Sequence, residues 1–166
     1  MRKYILLLFT MSSIATMAQN GKASTTKKTF QRTTSINQLI EAEPSVVWSL
    51  LSDAADMPRW NSTIISLEGR IKEKEKIKLT STLDPSRTFT LKVKEVIPEK
   101  RLVWGDAMGE RIYTLEKRGS ATFFSMEEKI GGPIFPLFAN KIPSFDQSFE
   151  QFTADLKREA ESIANN

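Results

Sequence analysis

The chain has 166 residues, 40% of them hydrophobic and 27% charged, enough for one domain with a real core. It contains no cysteine, which excludes disulfides, thiolate nucleophiles and cysteine-bound zinc, and no histidine, which removes the commonest general base, the usual metal ligand and every Ser-His or Cys-His arrangement. The formal charge is +4, but the lysines interleave with glutamates, as in Arg70–Lys78, where a nucleic-acid surface would segregate its positive charge, so no nucleic-acid partner is expected.

Arg2 and Lys3 precede the apolar run Tyr4–Phe9, and Thr16-Met17-Ala18 offers small residues where a signal peptidase reads. Residues 1–18 are therefore predicted to be a signal peptide cleaved after Ala18, and the protein to be exported, periplasmic or secreted. The apolar part is too short and too interrupted by Thr10, Ser12, Ser13 and Thr16 for a stable membrane span. Arg2 and Lys3 leave with the leader, which lowers the formal charge to +2. Residues 19–34 are polar, with Phe30 the one large apolar side chain, and read as a flexible segment that ends at most in the start of a strand. The folded domain is expected over residues 35–166.

Ser35–Ala42, with Ile36 and Ile40, reads as a strand. Pro44 stands where a helix can begin, because its missing N–H costs nothing in the first turn, and Val47, Trp48 and Leu51 form a short apolar stripe after it. Asp53 is placed to end that helix and cap a second turn through Met57, with Pro58 closing the region. From Ile64 the pattern turns to period two. Ile77, Leu79 and Leu83 face one hairpin partner, Phe89, Leu91 and Val93, across a turn at Asp84-Pro85-Ser86. Pro98-Glu99-Lys100 turns the chain into Leu102–Trp104, Gly105–Gly109 loosens it, and Tyr113 and Leu115 lead to the turn Lys117–Ser120. Ala121–Ile130 then sets Phe124, Met126, Glu128 and Ile130 on one face. Gly131-Gly132-Pro133 breaks this strand. Ile134–Ile142 reads either as a lid or as the start of a kinked final helix, the second favoured because Ala139-Asn140-Lys141 offers no strong stop.

Phe145, Phe149, Phe152, Leu156, Ala160 and Ile163 recur at helical spacing over Ser144–Ile163, opposite a charged face, and Ser144 with Gln147 reads as a capping box. Several short strands followed by one long helix predict an α+β domain, with the helix laid on a curved antiparallel sheet.

Ala42-Glu43-Pro44-x-x-Val47-Trp48-x-x-Leu51-x-Asp53, followed by Met57-Pro58-Arg59-Trp60-Asn61, resembles the opening of the SRPBCC superfamily, the START-like and birch-pollen-allergen-like helix-grip proteins, and especially their polyketide cyclase/dehydrase-like branch. Val96-Ile97-Pro98-x-x-Arg101-Leu102-x-Trp104 resembles that group's turn and following strand. Thr122-x-Phe124, Glu128 and Gly131-x-Pro133 resemble its last strand and the approach to the final helix. The resemblance implies a seven-stranded curved antiparallel sheet around the C-terminal helix, two short helices after the first strand, and a deep apolar cavity between sheet and helix. It also implies a small hydrophobic molecule or lipid as partner, with no cofactor.

Within such a cavity the expected ligand-binding residues are Trp60, Trp104, Tyr113, Met126, Glu128, Phe138, Phe145 and Phe149. Trp60, Trp104 and Tyr113 serve equally as core side chains. Glu128 either faces the cavity as an acid/base group with Tyr113, or sits near the strand end paired with Arg59, Arg101 or Arg111, the second reading being favoured. No catalytic constellation and no metal site is expected. The leading function is sequestration of a lipid, isoprenoid or aromatic compound; the alternatives are a polyketide cyclase/dehydrase or aromatase-like enzyme and an envelope interaction module with a vestigial cavity.

Overall fold

A computed structural model describes residues 21–166; the expected signal peptide, residues 1–18, lies outside the described residues. The strands are β1 (Ser24–Lys28), β2 (Gln31–Ile40), β3 (Ile64–Gly69), β4 (Lys76–Ser81), β5 (Asp84–Ile97), β6 (Arg101–Gly105), β7 (Gly109–Arg118) and β8 (Ala121–Gly131). They form one antiparallel sheet in the order β1-β2-β8-β7-β6-β5-β4-β3. Two short helices, α1 (Pro44–Ser52) and α2 (Met57–Trp60), carry the chain from β2 to β3 at the far edge, and the long α3 (Asp146–Ala164) closes the fold.

The sheet has eight strands where seven were expected. The extra one is β1, inside the stretch read as a flexible segment. Its alternation of Ser, Thr and Lys has no apolar face to betray it, because an edge strand needs only its ladder, here running from Ser24↔Ser35 to Lys28↔Gln31. β1 also clamps the helix. Thr25 Oγ1 donates to Asp146 at 2.5 Å, and Ala23 N–H donates to Glu150 at 3.2 Å.

Pro44 begins α1 as expected, and Asp53 ends it while its carboxylate accepts the N–H groups of Ala55 and Asp56 at 3.1 and 3.2 Å. Pro58 lies inside the first turn of α2, so it starts that helix instead of closing the region. The β4–β5 turn falls at Thr82–Leu83, and Asp84-Pro85-Ser86 already belongs to β5.

The helical stripe is buried through Phe149, Phe152, Leu156 and Ala160, but Ile163 is exposed, and Asp155, which lies outside the apolar stripe, is buried. The capping box does not form: Phe145 is the N-cap, and Ser144 Oγ accepts only a long bond from Asp146 N–H, 3.4 Å. Residues 134–142 are two separate 3-10 turns, Phe135–Leu137 and Ala139–Lys141, and not the start of a kinked helix. Pro143 helps explain this, since a proline disfavours helical backbone in the residue before it and Ile142 is extended, at φ −86° and ψ 120°.

Candidate functional site

The interior between sheet and α3 is built from alternate residues of the strands. β2 supplies Ile36 and Ile40, β6 Leu102 and Trp104, β7 Tyr113 and Leu115, and β8 Phe124 and Met126, all buried. Phe152 of α3 is the hub on the helix side. Its ring lies 5.9 Å from Trp60 in an edge-on contact and 5.8 Å from Tyr113, and Tyr113 in turn meets Trp104 at 5.1 Å and Phe124 at 6.2 Å. These rings meet one another where the resemblance assigned a deep cavity.

Two features break the apolar character. Trp60 Nε1, Tyr113 Oη and Thr153 Oγ1 are buried without a hydrogen-bond partner, and all three belong to Phe152, its ring neighbours or its chain neighbour. Burial pushes the Tyr113 phenol up to about 12, and the nearby Arg111 guanidinium pulls it the other way without reaching hydrogen-bond geometry, so the hydroxyl stays protonated.

The second feature is an ion pair on the inner face. Arg111 and Glu128 stand opposite each other in the β7–β8 register, and Arg111 Nε donates to the Glu128 carboxylate at 2.5 Å with both side chains about 15% exposed. Burial lowers the Arg111 pKa, but Glu128 and Tyr113 more than offset this and leave it raised. The guanidinium also lies 5.1 Å over the ring of Phe149, which stacks on the half-buried Phe145 at 6.1 Å. Arg32, on the same inner face of β2, donates to the carbonyls of Ile142 and Pro143 at 3.0 and 2.8 Å and covers Phe145 at 4.8 Å.

The expected ligand residues therefore divide. Trp60, Trp104, Tyr113, Met126 and Phe149 converge in the interior, with Phe145 and Glu128 at its polar end. Phe138 does not join them; it packs edge-on against Phe135 at 5.6 Å in the 3-10 segment. Arg111 is the partner Glu128 finds among the three considered, whereas Arg59 pairs with Asp56 and Glu159, and Arg101 with Glu95.

Among the described residues, two open clefts lie elsewhere. One, of about 750 Å³, lies between the β1–β2 turn at Phe30, the β6–β7 loop Asp106–Met108 and Gly131–Pro133. The other, of about 240 Å³, is on the outer face at Ser35, Asn37, Thr114 and Glu127, and of the expected residues only Met126 reaches it.

Sequence reasoning missed three side chains that hold the interior together. Asn61 donates from Nδ2 to the Phe152 carbonyl at 3.1 Å while its amide oxygen accepts from Thr63 N–H and Oγ1. Asp155 accepts from Ser62 N–H at 2.8 Å and Ser62 Oγ at 2.6 Å, and also from Gln151 and Arg158. Arg32 went unseen because the segment before residue 35 was read as flexible, although the alternation Arg32, Thr34, Ile36 places it on the inner face.

A family model described as polyketide cyclase / dehydrase and lipid transport matches residues 30–161, most of the chain. The chain belongs to this family. Its fold is of the SRPBCC type, as the solved structures similar to it also indicate. A conserved protein of unknown function from Enterococcus faecalis is 15% identical over 86% of this chain and 78% of its own, with a TM-score of 0.63. A START superfamily protein from Mycobacterium smegmatis is 16% identical over 79% of this chain and 98% of its own, TM-score 0.59. DynU16, from the dynemicin biosynthetic locus, is 17% identical over 78% of this chain and 47% of its own, TM-score 0.59. At these identities the likeness is one of fold. No curated protein matches the chain.

Proposed function

We propose that the protein is an exported binder of a small hydrophobic or amphipathic molecule, a lipid, isoprenoid or aromatic compound, held between the sheet and α3. The observation that supports this reading is the set of three buried polar atoms without partners around Phe152. Each costs about 1–3 kcal/mol in a dry interior, and a ligand atom that pairs with it recovers that cost. Trp60 Nε1 can only donate and the protonated Tyr113 hydroxyl donates readily, so the complementary ligand is an apolar body carrying a carbonyl, hydroxyl or ether oxygen. The family's description, which names both polyketide chemistry and lipid transport, fits that class.

Because aromatic rings already fill the interior, a ligand must displace some of them. Phe145 and Phe149 are the natural ones to move, since Phe145 is half-buried beneath the irregular segment 134–142. The general-base role for Tyr113 loses support, because a phenol pushed up to about 12 by burial holds its proton. The close ring contacts favour a second reading, an interaction module whose interior is filled by its own side chains.

Native mass spectrometry of the purified mature protein, followed by organic extraction, separates the two. The binding reading expects an added mass that passes into the organic phase and falls in Tyr113→Phe. Protein that is empty and also fails to take up fatty acids or apolar fluorophores refutes it and leaves the filled interior.

A further inference from the structure

Among the described residues, the three most exposed large apolar side chains are Leu137 at 81%, Phe30 at 58% and Ile134 at 57%. All three sit at one end of the molecule. Phe30 forms the tip of the two-residue β1–β2 turn, and Ile134 and Leu137 belong to the segment that follows β8. The two loops are tied together: Gly132 N–H donates to the Phe30 carbonyl at 3.0 Å, and a Cβ on Gly131 would lie 2.6 Å from that same oxygen.

This end carries three exposed lysines. Lys27 and Lys28 are exposed on the same hairpin as Phe30, and the Arg32 bonds to the carbonyls of Ile142 and Pro143 bring Lys141 alongside. None of these three lysines makes an ion pair within the described residues. Of the acids nearby, two are ion-paired and two are bonded to neutral donors, which leaves the lysines in excess. Asp106 accepts the N–H groups of Met108 and Gly109, Glu110 and Glu127 pair with Lys94 and Lys129, and Asp146 accepts from Thr25.

We infer that this end of the molecule docks on an anionic lipid bilayer, with Phe30, Ile134 and Leu137 entering the interface and Lys27, Lys28 and Lys141 meeting lipid phosphates. The shape selects a bilayer over a folded protein partner. The apolar tips belong to two separate loops, with Phe30 at the rim of an open cleft of about 750 Å³, and a deformable interface accommodates such separate tips while a rigid partner does not. Apolar insertion combined with a cluster of lysines is the combination that gives lasting attachment to anionic lipid. The inference goes beyond the interior site and holds whether or not that interior takes a ligand.

The test uses the mature protein, without residues 1–18, with a tryptophan reporter at the tip, Leu137→Trp, and vesicles of brominated phosphatidylcholine containing about one-third phosphatidylglycerol. Trp60 and Trp104 are buried and Trp48 is partly buried, and the unsubstituted protein measured with the same vesicles supplies the background of all three. The expected result is a blue-shifted reporter quenched by the mixed vesicles and not by phosphatidylcholine alone. Binding should weaken roughly fivefold for each of Lys27→Gln, Lys28→Gln and Lys141→Gln. Ile65→Trp, on β3 at the opposite edge of the sheet, should stay unquenched. Reporter emission unchanged by mixed vesicles overturns the inference, as does equal quenching at residue 65, which locates attachment elsewhere. Self-association abolished by Phe30→Ser with Leu137→Ser, without vesicle binding, makes a second copy the occupant and overturns it as well. These readouts do not depend on the mass of any bound ligand, so they separate this inference from the binding reading above.

Discussion

Replacing Asp155 by asparagine tests how α3 is held against the α2–β3 connection, and so what positions Trp60 and Phe152. The wild-type carboxylate is buried and accepts four hydrogen bonds, two from Ser62 at 2.8 and 2.6 Å, one from Gln151 at 3.0 Å and one from Arg158 at 2.8 Å. The Arg158 side chain is 66% exposed, so its share is small, well under about 1 kcal/mol. Asparagine keeps the shape and one good acceptor but turns a donor toward the remaining partners. With bonds to a charged acceptor contributing about 1.5–3 kcal/mol, the substitution should cost about 2 kcal/mol at neutral pH. The pH dependence gives a sharper check. Burial raises the Asp155 pKa, but the Ser62, Arg158 and Gln151 bonds outweigh it and leave the group below its ordinary value of 3.8. A carboxyl depressed on folding stabilises fully above its unfolded pKa, and that stabilisation is lost as pH falls through the folded one. Urea denaturation of both proteins should therefore show a gap that is constant from neutral pH down to the carboxylate range and that closes below 3.8. A gap independent of pH, or no gap at neutral pH, refutes the assignment of a charged, bonded carboxylate.

Three further changes probe the interior. Arg111→Met should cost about 2–4 kcal/mol in urea denaturation by leaving Glu128 unpaired on the inner face, while Arg111→Met with Glu128→Leu should recover most of that loss. Tyr113→Phe removes a buried hydroxyl without a partner and should raise stability by about 1 kcal/mol in ligand-free protein, read from the same urea midpoints; a loss of that size would mean the hydroxyl is satisfied. Phe152→Ala should lower stability by about 3–5 kcal/mol, because the ring joins Trp60 to Tyr113, and an apolar fluorophore should then enter the space it leaves.

Much of the architecture was legible because it depends on local pattern. Pro44 and Asp53 mark the start and end of α1 by backbone chemistry that acts over four residues. The strands β4 to β8 announce themselves through alternation, and the phenylalanine spacing of α3 fixes which helix face is inside. The failures have equally local causes. β1 is polar on both faces, so nothing in its composition separates it from a flexible tail, and only pairing with β2 makes it a strand. The 3-10 turns at Phe135–Lys141 were read as the start of a kinked helix in preference to a lid because Ala139-Asn140-Lys141 carries no strong stop signal.

The site shows the same division. By itself the sequence determined that an α+β domain would bring Trp104, Tyr113, Met126 and Phe149 inside, since period two and period 3.6 assign faces without reference to the rest of the chain. It also excluded histidine and cysteine chemistry outright. Only the tertiary structure decided that Glu128 meets Arg111, that Asp155 is buried, and that Phe30 stands beside Ile134 and Leu137 at one end. Each of those pairs is separated along the chain by many residues, and their meeting depends on strand register and helix placement, which no side-chain pattern encodes locally.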